Sequence, residues 1–79
     1  MIVDLAMIDD GRVILFSYRR PMPLRRAMVL AFHGLFRINN NQFVPTIEQW
    51  SAEETILPDD WVDVTLRLVD EPVISQVME

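Results

Sequence analysis

Asp9-Asp10-Gly11 stands between two runs, Ile2–Ile8 and residues 12–18, that are rich in β-branched and aromatic side chains. An Asp-Gly pair between such runs is a strong hairpin signal, because glycine accepts the positive φ that a tight turn needs. The chain is therefore expected to open with a β-hairpin. Val13 and Leu15 face one way, and Ile14, Phe16 and Tyr18 the other. Strands covered on both sides read as near-continuous apolar runs of this kind. One helix covers only one side of such a hairpin, so the second side calls for another element or another subunit.

Pro21 and Pro23 lack amide donors and fix φ, so they end the second strand and force a corner. Leu24, Ala27, Met28, Ala31, Leu35 and Ile38 then recur at helical spacing and predict a helix over Leu24–Ile38. Val29, Leu30, Phe32 and Phe36 fill much of the remainder, which predicts burial on more than one side. Gly34 in its interior points to a close approach by another backbone. Asn39-Asn40-Asn41 ends it, since asparagine tolerates the left-handed cap.

Residues 42–57 are ambiguous. Thr46-Ile47-Glu48-Gln49 and Ser51-Ala52-Glu53-Glu54 both fit a capping box, and the favoured reading is a short strand near Phe43 followed by a helix over about residues 47–56. Pro58 stops it. Residues 61–69 alternate cleanly, with Val62, Val64, Leu66 and Leu68 opposite Asp63, Thr65 and Arg67, and predict a strand with one wet face. Asp70-Glu71-Pro72 reads as a turn and residues 73–78 as a last short strand. The expected class is α+β: one domain over residues 1–79 with a small, mainly antiparallel sheet.

A chain of 79 residues buries only about 60% of its unfolded surface, so its stability is marginal. It has no cysteine, which removes disulfides, thiolate metal sites and cysteine nucleophiles together. Their absence favours a reducing, cytoplasmic compartment. No apolar run approaches the roughly 20 residues needed to span a bilayer, so no membrane is expected. An apolar fraction of 51% is too high for a disordered chain.

Charge is unevenly laid out. The net charge is -5, yet residues 1–37 carry six arginines against three aspartates, while residues 38–79 carry Arg67 against nine carboxylates. Lysine is absent, so each cation is a permanent planar fork. Either the two halves pair with each other, or one of them faces a partner of opposite charge.

Single residues that carry chemistry are few. His33 is the only histidine, and without cysteine it cannot build the usual zinc site. Asp9-Asp10 and Asp59-Asp60 sit where turns are expected and lack the ligand spacing of a calcium loop. No catalytic residue, metal site or cofactor is expected. The densest cluster is Arg19, Arg20, Arg25 and Arg26 around the Pro21-Met22-Pro23 corner. Cations in a first helical turn oppose the helix dipole. Compensation would come from an internal acid around Glu53 and Glu54, or from an external anion. With Met22 expected to be exposed at its corner, these arginines and Phe16, Tyr18 and Trp50 are the candidate interaction residues.

These features point to a non-catalytic protein-interaction module, an adaptor or inhibitor of the small bacterial or phage kind acting as a homodimer. The alternative is a regulator that binds an anionic ligand or nucleic acid through the corner of residues 19–26. Negative net charge and the lack of a recognition motif weigh against nucleic acid.

Overall fold

A computed structural model describes residues 1–69. The expected turn at residues 70–72 and last strand at residues 73–78 lie outside the described residues. The elements are β1 (Ile2–Ile8), β2 (Val13–Arg19), α1 (Leu24–Ile38), a 3-10 turn (Ile47–Gln49), β3 (Trp50–Ile56), a second tight turn (Pro58–Asp60) and β4 (Trp61–Leu68). The four strands form one antiparallel sheet in the order β1-β2-β4-β3, which makes this a small α+β fold. The long connection from β2 to β3 contains α1, which covers one face of the sheet.

The opening hairpin turns through Asp9, Asp10 and Gly11, all at positive φ (55°, 57° and 82°), closed by Gly11 N–H donating to Ile8 O and Arg12 N–H to Asp9 O. Aspartate is among the few side chains that tolerate this region. Asp4 is also left-handed (φ 57°), and there the β1–β2 register slips between Val3 and Ala6. Such a bulge inserts one extra residue and resets the alternation of faces. Ile2, Leu5 and Met7 consequently all pack against the core, while Val3, Ala6 and Ile8 share rows with Ser17, Leu15 and Val13 on the other face. The bulge also kinks an edge strand, a device that discourages edge-to-edge pairing.

Arg19–Met22 is a tight turn, with Met22 N–H donating to Arg19 O and a cis peptide between Arg20 and Pro21. α1 starts after Pro23 and closes on asparagines: Asn40 N–H donates to Arg37 O and Asn41 N–H to Phe36 O, with Asn40 at φ 57°. This is the Schellman arrangement with asparagine in the usual place of glycine.

The core lies between α1 and the sheet. Ile14, Phe16 and Tyr18 of β2 and Val62, Val64 and Leu66 of β4 meet Ala27, Met28, Ala31, Phe32 and Leu35 of α1. Phe32, Phe43 and Trp50 form an aromatic cluster at one end, with ring centroids 6.1–6.4 Å apart. β4 has the expected alternation, with Val62, Val64 and Leu66 buried and Asp63 and Arg67 exposed.

Four expectations need correction. Residues 50–56 are a strand, not a helix, and Phe43 lies in coil. The Thr46 capping interaction is present, its N–H donating to Gln49 Oε1 (2.9 Å), but it closes only one turn. From Trp50 onward the backbone pairs with β4 over seven residue pairs, and this tertiary ladder overrides the local helical preference. Secondly, α1 is buried on one side only, with Val29 on its outward side 45% exposed; Ile38, expected on the buried face, is 67% exposed at the end of the helix. Thirdly, the close approach at Gly34 is made by a side chain, since a Cβ there would lie 3.0 Å from Leu5 Cδ2. Fourthly, Met22 is half-buried and packs against the core rather than standing out from its corner.

Candidate functional site

The expected interaction residues separate into three groups. Phe16, Tyr18 and Trp50 lie inside the subunit, at 2%, 3% and 8% exposure, and offer a partner almost no surface. Their side chains fall on the helix-covered side of the sheet, which is why they are core.

Arg19 and Arg20 are held by the turn before β4. Arg19 Nε donates to Asp59 O (3.0 Å) and its guanidinium lies 5.7 Å from the Trp61 ring centroid. Arg20 pairs with Asp60 (3.5 Å), and its backbone N–H donates to Asp60 O (2.9 Å). Asp59 and Asp60 both sit at positive φ, so the turn presents these oxygens to the corner. The acids near Glu53 and Glu54 are committed elsewhere. Glu53 pairs with Arg67 across the β3–β4 ladder, and Glu54 accepts a hydrogen bond from Tyr18.

Arg25 and Arg26, with Arg37 one helix length away, form the third group. All three are exposed, and none of their guanidinium groups has a hydrogen bond or ion pair among the described residues. They share the outward side of α1 with His33, Val29, Leu30 and Phe36. The cationic corner is thus half neutralised within the fold and half open.

The Tyr18–Glu54 contact ties β2 to the edge strand β3 across β4, with Tyr18 Oη 2.6 Å from Glu54 Oε2. Burial, then the hydrogen bond to Glu54 and the charge of Glu54, push the Tyr18 hydroxyl up from 10.0 to about 12, with Arg20 acting weakly in the opposite direction. A raised pKa means that the contribution is complete below the unfolded value of 10.0 and is lost as pH climbs toward about 12. Tyr18 is the only tyrosine, so an absorbance titration reads it alone. Tyrosinate is expected to form near pH 12, and Glu54→Gln should bring the midpoint down. An ordinary midpoint in protein that is still folded by circular dichroism would show that the hydroxyl is not held.

The sheet face away from α1 is not covered by any described element. Its rows run Ile8–Val13–Arg67–Ser51, Ala6–Leu15–Thr65–Glu53 and Val3–Ser17–Asp63–Thr55. On this face β1 and β2 are apolar apart from Ser17 and Arg19, and β4 and β3 are polar apart from Trp61. A shallow depression near its middle is lined by Asp4, Leu15, Ser17, Asp63 and Thr65, with Ser17 Oγ donating to Asp63 Oδ1. Ser17 and Asp63 would need a base to act as a nucleophilic pair, and His33 lies across the sheet on the outward side of α1. Among the described residues no group of three His, Cys, Asp or Glu is placed to hold a metal ion. No described helix is long and apolar enough to cross a membrane.

The sequence reading missed Val3, Ala6 and Ile8 as a surface row, because their facing depends on the Asp4 bulge. It also missed the line Arg26, His33 and Arg37 on α1, although the spacing i, i+7, i+11 was there to be read. No protein-family model matches the chain, and no curated protein or solved structure matches it either.

Proposed function

We propose that the chain is a non-catalytic protein-interaction module that self-associates through the sheet face that no described element covers. The observation that carries this reading is the apolar half of that face. Exposed Ile8 and half-buried Val3, Ala6 and Leu15 form a patch around buried Val13 on β1 and β2, on the side where no described element packs. Apolar surface of this kind favours association roughly in proportion to the area removed from water.

A second copy is the occupant this surface suits. Two such faces pack about 10 Å apart with strands within about 30° of each other, as sheets do in sandwiches. A two-fold axis sets one patch on the other, so self-complementarity needs no second apolar surface. The charged ladder pair Glu53–Arg67 lies at the margin, where polar groups belong in an interface. A subunit this small gains from shared burial what its own core cannot supply.

Sedimentation equilibrium across the micromolar range tests the reading. Dimer is expected at the upper concentrations, with reversible dissociation on dilution. A monomer throughout would remove self-association from the proposal. A second reading, binding of an anionic ligand at the corner, is supported only by Arg25 and Arg26, since Arg19 and Arg20 already have partners.

A further inference from the structure

We infer that the outward side of α1 is a docking surface for an acidic, partly apolar segment of another protein. This site lies on the opposite side of the molecule from the bare sheet face and does not depend on self-association.

The first observation is an imbalance in pairing. Arg19, Arg20 and Arg67 each find an oxygen partner within the fold. Residues 38–79 hold nine carboxylates, yet none of the described ones reaches Arg25, Arg26 or Arg37. No acid occurs anywhere between Arg12 and Arg37, so α1 cannot neutralise itself through the usual i, i+4 pairs. Two of its arginines also stand in the first turn, against the helix dipole. Carboxylates arriving from outside relieve both strains.

The second observation is the arrangement. Arg26, His33 and Arg37 follow one line along the helix, spanning about 16 Å at 1.5 Å per residue. Val29 and Phe36 flank that line on one side and Leu30 on the other. Val29 is 45% exposed, and Leu30 and Phe36 are half-buried. Arginine forks set among aliphatic and aromatic side chains match the composition of protein-protein hot spots. Each fork donates two parallel N–H bonds to a carboxylate. An acidic amphipathic helix, with acids on one line and apolar residues beside it, satisfies both components.

Nucleic acid satisfies only one of them. Its interfaces are polar and strongly cationic, and phosphate binding depends on a broad positive field. Here the cationic strip is one helix wide and apolar side chains interrupt it.

The test uses the full chain and fluorescence anisotropy at low salt. The probes are a labelled synthetic helix of alternating Glu-Glu and Leu-Leu pairs, the same peptide with serine for leucine, the same peptide with lysine for glutamate, and a labelled mixed-sequence DNA duplex. The Glu/Leu peptide is expected to bind and the lysine version not to. Arg26→Glu with Arg37→Glu should weaken binding about tenfold or more, as truncated charge pairs at an interface do. Arg26→Ala with Arg37→Ala should show a smaller loss in the same direction, and it guards against a folding defect, as does the circular dichroism of both variants. Sedimentation of these variants should match the parent, which separates this surface from the sheet face. Three results would overturn the inference: parent and double variants binding the Glu/Leu peptide equally, serine and leucine peptides binding equally, or the duplex binding through the same arginines more tightly than the peptide.

Discussion

Trp50→Ala is expected to lower the free energy of unfolding by about 3–5 kcal/mol, the usual cost of removing a large buried aromatic side chain. For a domain of this size the total is of the order of 4–12 kcal/mol, so the variant loses a large share of its stability and unfolds outright if the total lies at the lower end. The reason lies in the aromatic cluster. Trp50 opens β3 and packs against Phe32 of α1 and Phe43 of the preceding coil, so its loss detaches the edge strand from both. Urea unfolding followed by circular dichroism gives the number. Trp50→Phe makes the informative contrast. The indole Nε1 is buried with no hydrogen-bond partner among the described residues, and an orphaned buried donor costs about 1–3 kcal/mol. Phenylalanine gives up some packing area but also removes that donor, so a net change within about 1 kcal/mol is expected. If Trp50→Ala instead leaves unfolding untouched and abolishes self-association, Trp50 is an interface residue and its place in the core is mistaken.

What could be read from the sequence follows what is local. Asp9-Asp10-Gly11 dictates its hairpin through the φ values that those residues accept. Leu24–Ile38 carries its own periodicity, two prolines before it and three asparagines after it. β4 shows its two faces outright because one is wet. β3 was not legible, because its partners are remote. Glu53 and Glu54 look like the first turn of a helix until Arg67 and Tyr18, each distant in sequence, are seen to take one glutamate on each side of the sheet. The arginine corner follows the same rule. Its compensation by Asp59 and Asp60 depends on a turn some 40 residues away, brought close by β2 pairing with β4. The apolar patch was half legible. Val13 and Leu15 declared it, but Val3, Ala6 and Ile8 joined it only through the bulge at Asp4.

If copies self-associate as proposed, Ile8→Thr combined with Leu15→Thr is expected to shift the parent's dimer to monomer. Ile8 is 47% exposed and Leu15 half-buried, and both lie on the bare face. Threonine retains strand propensity, so the sheet itself should persist. A two-fold axis counts each substitution twice, so four side chains leave the interface. At about 1 kcal/mol for each, from about 25 cal/mol per Å² of apolar area, association weakens by about 100- to 1000-fold. Neither side chain belongs to the cluster between α1 and the sheet, so the isolated subunit should lose no more than about 1 kcal/mol against urea. The two readouts therefore move independently: sedimentation shifts strongly and monomer unfolding barely. A variant that sediments like the parent would show that copies do not meet on this face. A variant that unfolds would show instead that the patch is already covered within its own subunit, and the water-exposed sheet on which self-association rests would be gone.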